Sequence, residues 1–479
     1  MNQEQLNLLF GNGILIDAGI KNFEVPDMNK LIEKLKEKSI TFLDTKTLYN
    51  LVYDKPSEGN SSIEVVKNYG GETSHSKPND WINYFNDRFN RLRDILLKRV
   101  DANGVMSLEG IKNMPNGAEV KSIVMVAEVS ISPVKHYQIL EIEDNTSRYK
   151  AILSVVNDEL LKDHVVMIKG KKYKDAIFVN DVVFPDVQII DKDTLDIGDT
   201  YAVFLSDIHV GSKLFAATEF ELFINWLNGG VDEYKSIAEK VKFLVVAGDL
   251  VDGVGVYPEQ EKELEIKDVR SQYDALYQLL DRVPKHITIL ISQGNHDATH
   301  IAEPQPKLEP YFGESLYKLT NAVFLSNPYQ VNLKIGDAKR KLLSYHGFSI
   351  MYYVNSIAKF NKMDDESILS IMKLQLRSRH LAPTHGSTQL VPLHRDFLVI
   401  DETPDIFASG HVHKAAASMY RGVVLVNASC WQYQTSYQKK YGVDPEVAKV
   451  PVVNLRDKSF QMLDFGGAKV QIFKKGIKT

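Results

Sequence analysis

The segments Tyr201-Ala-Val-Phe-Leu-Ser-Asp-Ile-His209, Val241-Lys-Phe-Leu-Val-Val-Ala-Gly-Asp249 and His286-Ile-Thr-Ile-Leu-Ile-Ser-Gln-Gly-Asn-His-Asp297 decide the fold. Each is a short apolar run that ends in a carboxylate, an imidazole or an amide. Two later segments repeat the design: Lys341 to Tyr345 runs into His346-Gly347, and Asp405 to Ser409 runs into Gly410-His411-Val412-His413. Runs of this length bounded by turn residues read as buried strands. Helix-like segments separate them, which is the α/β pattern. In open α/β sheets ligands bind outside the carboxyl ends of the strands, so the five clusters are expected to converge.

The spacing within a cluster adds a local expectation. In an extended segment residues i and i+2 point the same way, so Asp207 with His209, and His411 with His413, are expected to grip a site in pairs. Glycines before Asp249, Asn295 and His411 suit tight turns where backbone approaches the cluster. A lone Asp-x-His or His-x-His says little. Five ligand-type clusters in order, each ending an apolar run, are a specific signal.

This order (Asp-x-His, Gly-Asp, Gly-Asn-His-Asp, His-Gly, Gly-His-x-His) resembles the calcineurin-like metallophosphoesterases. The resemblance implies that Asp207, His209 and His413 hold one ion. Asn295, His346 and His411 would hold a second, and Asp249 would bridge the two. His296 matches the family's catalytic histidine, placed over the scissile phosphate, and Asp297 would support the ligands from behind. Two divalent ions about 3.5–4 Å apart lower the pKa of water and clamp phosphate oxygens. A mixed imidazole, carboxylate and amide set suits Mn, Fe, Zn or Ni rather than Ca. The family's nucleases point to Mn²⁺.

N-terminal to this domain (200–479) the pattern changes. From about Ala118 to Val187 short strands alternate with turn signals, and five or so strands in that length suggest a small barrel, with an OB fold the first candidate. Trp81 to Val100 is an amphipathic helix with Phe85, Phe89, Leu92 and Leu96 on one face. Residues 81–195 are thus expected to be a helix plus an OB-fold domain, residues 55–80 a flexible linker by composition, and residues 1–54 a small helical domain. The fold class expected is α/β in the wider α+β multidomain sense: a calcineurin-like phosphoesterase β-sandwich flanked by helices, preceded by the OB barrel and the helical N-terminal domain.

The segments between the ligands narrow the resemblance. They include Val251-Asp-Gly-Val-Gly-Val-Tyr-Pro-Glu with Gln272-Tyr273, Ala302-Glu-Pro-Gln-Pro, Arg379-His-Leu-Ala-Pro, and Asp396-Phe-Leu-Val-Ile-Asp-Glu-Thr-Pro-Asp405. These are similar to the small subunits of the archaeal family D DNA polymerases, also called DNA polymerase II small subunits. The similarity is specific from about 200 to 456, looser over 81–195 and thin before 55. It implies a 3′–5′ exonuclease acting on single-stranded or mismatched 3′ ends of DNA. It also implies assembly with a large catalytic subunit and work beside a sliding clamp. The chain departs from that family at Phe348-Ser-Ile-Met, where an Arg and acidic residues are usual, and at Thr384-His385-Gly386. Two other readings remain open: a catalytically silent scaffold subunit, and a free-standing metallophosphatase.

Composition sets bounds. The formal net charge of −5 excludes a general polycation, so nucleic acid would need a local basic patch. Lys169, Lys171, Lys172 and Lys174 on a strand, and Lys469, Lys474, Lys475 and Lys478 near the end, are two such clusters, each equally readable as solvated surface. The single cysteine, Cys430, excludes an intrachain disulfide and a Cys-rich metal site. No apolar run approaches the roughly 20 residues that span a membrane, and a cytoplasmic protein is expected. Trp431, Tyr433 and Tyr437 could stack on bases, but packing in the core or against a partner subunit explains them better. Gln3-x-x-Leu6-x-x-Leu9-Phe10 faintly resembles a clamp-binding motif, but a plain helix with an apolar face explains it better. His286, His300, His380, His385 and His394 are expected to be structural or surface residues.

Overall fold

A computed structural model of the chain describes residues 1–479 except 2, 18–19, 21–22, 24, 26, 54–61, 73, 75, 191–192, 474–476 and 479. The five apolar runs are strands: Tyr201–Leu205, Val241–Ala247, Thr288–Ser292, Ala338–Ser344 and Ile406–Ser409. The first three lie parallel and adjacent in one seven-stranded sheet. The other two lie parallel and adjacent in a second seven-stranded sheet.

The sheets face one another. Ala202, Phe204, Phe243, Val245 and Leu290 of the first pack against Val331, Leu342, Ile406 and Val424 of the second. On the outer side of the first sheet, Val203, Leu205, Leu244 and Ile289 pack under helices Ala217–Leu227 and Val269–Leu280. Alternate residues of each strand therefore enter different cores. That is why the strands of the first sheet carry consecutive apolar residues rather than one at every second position.

The barrel comprises Glu119–Ile131, Gln138–Glu143, Arg148–Leu153, Val165–Tyr173 and Ala176–Val183, closed in the order first, second, third, fifth, fourth. Helix Pro78–Leu97 lies across it, with Phe89, Leu92 and Leu96 against Ile123, Met125, Val165 and Met167. The same helix reaches the phosphoesterase sandwich. Arg88 is fully buried, and its Nε donates to Asp396 Oδ2 at 2.7 Å. Asp396 also accepts from His380 Nε2 at 2.8 Å and from the Leu398 amide at 2.9 Å. Arg91 ties Asp87 at 2.7 Å and also binds Asp401. The Arg379-His-Leu-Ala-Pro and Asp396–Asp401 segments are thus the docking surface for this helix.

One expectation is corrected. The 55–80 stretch is not all linker: Ile63–Asn68 is an edge strand of the second sheet, antiparallel to Tyr329–Ile335. Its composition misleads because an edge strand buries little apolar surface and is held by ladder hydrogen bonds and polar contacts. Lys67 is buried and donates to the Val399 carbonyl at 2.7 Å, and Glu64 accepts from Asn332 at 2.8 Å. Residues 54–61 of the expected linker lie outside the described residues.

At the N-terminus, Gln3–Gly11, Met28–Glu37 and Thr45–Tyr53 are helices, joined by a two-stranded parallel pair. Leu6 and Leu9 are both buried, Leu9 within that small core, so two of the anchors of the clamp-like motif are already used.

Candidate metal centre

Seven of the expected residues come together across the strand ends of both sheets. Asp207, Asp249 and Asn295 follow strands of the first sheet; His346, His411 and His413 follow strands of the second. His209 completes the set from the turn that carries Asp207. Among the described residues two groups have ligand-type atoms within 4.8 Å of one another, Asp207, His209 and His413, and Asp249, His346 and His411; a third, His209, Asp249 and His296, overlaps them. Asp249 Oδ2 lies 3.3 Å from His346 Nε2 and 3.9 Å from His209 Nε2, so one carboxylate faces both groups. Asn295 Oδ1 stands 3.1 Å from His346 Nε2.

The reason for the pairing differs from the expected one. The Asp207–His209 and His411–His413 turns are not extended strand. Asp207, His209, Asp249, His411 and His413 all have positive φ, between 49° and 72°. Side chains converge because the backbone turns left-handed after each strand. Left-handed backbone costs an L-residue about 1–2 kcal/mol, and such conformations cluster at functional sites, where the surrounding structure imposes them.

The glycines provide the room. A Cβ on Gly294 would sit 2.2 Å from Asp249 Oδ1, and one on Gly410 would sit 1.9 Å from Ser206 Oγ and 2.7 Å from Asp207 Oδ2. Gly248 combines φ +90 with a Cβ position 2.6 Å from His346 Nδ1.

Two of the histidines are oriented from behind. His346 Nδ1 lies 2.8 Å from the Ala247 carbonyl, which only an N–H can approach. Its Nε2 is aimed at the oxygens of Asn295 and Asp249 and offers a lone pair there when the ring is neutral. His209 Nδ1 bonds the Asp252 carboxylate at 3.1 Å, leaving Nε2 to face Asp207 Oδ1 at 3.8 Å and His413 Nε2 at 3.1 Å. Asp207 Oδ1 is buried with no hydrogen-bond donor. Lone pairs and carboxylate oxygens directed at one another in a buried space fit divalent cations between them. Imidazole, carboxylate and amide donors suit the same ions.

Electrostatics agree. Burial alone would push the Asp207 carboxyl up, but His209 and His413 outweigh it and hold it well below the usual carboxylate range. Burial likewise opposes ionisation of Asp249, and His346 and His296 hold that carboxyl low.

Asp297 accepts from the amides of Gly294 at 2.8 Å and Leu250 at 3.2 Å, and from Tyr273 Oη at 3.0 Å. It thereby fastens the two turns that carry Asn295 and Asp249. Burial, with Asp249 nearby, pushes its carboxyl up to about 7. Gln272 holds the neighbouring loop through both Gly253 backbone groups and the Ile266 carbonyl.

His296 lines an open cleft of about 640 Å³ beside Asn295. Its backbone N–H donates to Asp249 Oδ1 at 2.8 Å, and its Nδ1 donates to the Asp252 carbonyl at 2.8 Å. Burial keeps the ring below its ordinary pKa.

Two residues escaped the sequence reading. Asp252 is buried and bonded to His209, Gln432 and Gln260, with Gln432 Nε2 at 2.8 Å and Gln260 Nε2 at 3.0 Å. Its signal was present in the Val251-Asp-Gly segment, three residues past a ligand. Gln438 reaches His413 Nδ1 at 2.9 Å and leaves no signal in the motif pattern.

The remaining candidates fall elsewhere. Trp431 is buried against Phe220 and Phe223. Arg377 pairs with Glu159 over the Phe184 ring. Lys169 is engaged by Asp101 and Asp181, and Lys172 is buried on the Met114 carbonyl, so neither is free for phosphate. Lys474 and Lys475 lie outside the described residues. Phe348 stands edge-on against His411 with ring centroids 5.2 Å apart.

The calcineurin-like phosphoesterase family model matches residues 201–415, and that family uses divalent metals. The chain is 36% identical over 410 residues to the DNA polymerase II small subunit of Methanothermobacter thermautotrophicus, spanning 83% of this chain and 82% of that one. It is 38% identical over 399 residues to the protein of the same name from Archaeoglobus fulgidus, with 82% and 78% covered. With the Thermoplasma acidophilum protein of that name it shares 34% identity over 466 residues, covering 95% of this chain and 91% of the relative. No described helix is long and apolar enough to cross a membrane.

Proposed function

The chain belongs to the family of DNA polymerase II small subunits, and we propose that it is a metal-dependent 3′–5′ exonuclease that removes misincorporated nucleotides for a polymerase whose synthetic site lies in a separate large subunit. The observation that carries this reading is Asp249, whose carboxylate faces both donor groups, with His296 beside it at the mouth of the cleft. A scaffold subunit would have no use for seven ligand-type residues brought together, five of them in left-handed turns.

Two divalent ions, Mn²⁺ by preference, would activate water and neutralise phosphate charge there. The protein's own residues do the rest. Asp207, His209 and His413 hold one side, and Asn295, His346 and His411 the other. Asp252, the Ala247 carbonyl and Gln438 fix the rings so that Nε2 of His209, His346 and His413 faces inward. His296 has spent Nδ1 on a carbonyl, which leaves Nε2 for the phosphodiester; protonated there, it can hand that proton to the departing ester oxygen. The partners under this reading are DNA with single-stranded or mismatched 3′ ends, the large subunit and a sliding clamp.

The test is digestion of 5′-labelled and 3′-labelled single-stranded DNA in Mn²⁺, with and without the large subunit. A ladder from the 5′-labelled strand, absent with Asp249→Ala, is the expected result. Full activity in that variant would overturn the assignment of the site. Preference for small phosphomonoesters would favour the free-standing phosphatase.

A further inference from the structure

A row of aromatic rings leads out of the metal centre. The His296 ring lies 6.3 Å from that of Tyr257, Tyr257 lies 5.4 Å from Tyr437, and Tyr437 lies 4.8 Å from Tyr441. Exposure rises along the row. His296 is largely enclosed, Tyr257 is half-buried, Tyr437 is 44% exposed and Tyr441 is 61% exposed. Large aromatic side chains left open to water in a file that ends at a metal site need a reason, because burying them would be favourable.

The row is also built. Glu263 accepts from Tyr257 Oη at 3.0 Å and from the Ser436 amide at 3.0 Å, which joins the loop of Tyr257 to helix Ser436–Lys440. Thr435 and Gln438 cap each other at the start of that helix, and the same Gln438 side chain reaches the ligand His413 at 2.9 Å. The tyrosines are thereby tied to the metal centre rather than to a loose loop. Lys440 stands over the Tyr441 ring at 5.9 Å and Lys439 is exposed beside it, so the outer end carries positive charge.

We infer that Tyr257, Tyr437 and Tyr441 form a stacking platform for the unpaired bases of a nucleic-acid strand whose end enters the metal centre at His296. The proposal rests on the nuclease reading above and adds how the strand is held. Stacking on aromatic faces is indifferent to base identity, which suits an enzyme that must accept any misincorporated nucleotide. The lysines at the outer end match the backbone charge of such a strand. Tyr257 and Tyr437 are positioning residues, because they meet bases rather than the reacting phosphate.

The test uses the full-length chain with a single-stranded oligonucleotide carrying 2-aminopurine near its 3′ end, and with bis(p-nitrophenyl) phosphate, which has no base. Stacking on tyrosine quenches 2-aminopurine fluorescence, and this readout needs no cleavage. For Tyr437→Ala the expected result is loss of the quench and a rise of about tenfold in KM for the oligonucleotide. That rise should exceed any change with the small ester by about the same factor, and kcat should move less than KM. Tyr437→Phe should restore both, since the ring and not the hydroxyl acts. An unchanged quench and KM in Tyr437→Ala would overturn the platform and leave the nuclease reading standing. Equal losses on both substrates would overturn it too, by making Tyr437 a structural residue. A tyrosine-dependent quench without hydrolysis of either ester, with the large subunit also present, would instead sink the nuclease reading and retain the platform.

Discussion

At Asp249 a single carboxylate serves two donor groups, so its loss should not resemble the loss of a terminal ligand. For Asp249→Ala we expect bound metal to fall from two ions per chain toward none by elemental analysis, with hydrolysis abolished. For His296→Ala we expect both ions retained while kcat falls about 10²–10⁴-fold, since in the proposed mechanism the residue acts on the proton and not on the metal. Equal metal loss in the two variants would refute that division of roles. The glycines behind the ligands are as demanding. In Gly410→Ala the new Cβ would meet Ser206 Oγ and Asp207 Oδ2, so the Asp207 turn must shift. Weaker Mn²⁺ binding in titration calorimetry, with little change in the circular dichroism of the fold, is the expected outcome. The motif spelled out the ligands at this scale because their identity is local. It did not spell out Asp252 or Gln438, whose roles depend on a hydrogen bond across the site.

The helix Pro78–Leu97 joins the barrel to the sandwich through one buried ion pair. Removing one partner of such a pair leaves the other charge uncompensated, typically at about 3–5 kcal/mol. Arg88→Met should therefore lower the denaturation midpoint markedly, and Arg88→Met with Asp396→Asn should recover part of the loss. No recovery in the double variant would show that the charges are not coupled as the structure indicates. The same network gives a pH dependence. Burial and then Arg88 lower His380 to about 4 from an ordinary value near 6.5, and burial lowers the neighbouring His164 to about 3. Both rings stay neutral in the fold while the unfolded chain takes up protons. Stability is thus complete above about pH 6.5 and falls as pH drops toward 4. Chemical denaturation at pH 7 and pH 5 should show this, and no difference between them would count against a neutral buried His380. The edge strand Ile63–Asn68 belongs to the same level. Removing it would leave the Tyr329–Ile335 strand with unpaired backbone, which invites association with another chain.

Across the whole molecule, the metal centre is where the two sheets of the sandwich are fastened together. Three ligands come from one sheet's strand ends and three from the other's, and His346 Nδ1 already bonds the opposite sheet at Ala247. Ions bound there should hold the sandwich closed. Mn²⁺ at about a hundred times its Kd should stabilise the chain by about 2.7 kcal/mol, seen as a raised unfolding temperature. Asp249→Ala should lose that rise and Tyr437→Ala should keep it. The order of apolar runs and ligand-type residues was enough to read the α/β sandwich, the barrel before it and the convergence of seven residues whose side chains could hold metal. Those features follow from periodicity and from strand ends, which are local properties of the chain. Tertiary structure alone decided the rest. It recruited Ile63–Asn68 into the second sheet, because an edge strand is defined by its partner's open hydrogen bonds. It turned the ligand pairs inward by left-handed backbone rather than strand alternation, and it set Asp252, Gln438 and the tyrosine row around the centre, because each depends on contacts between residues far apart in sequence.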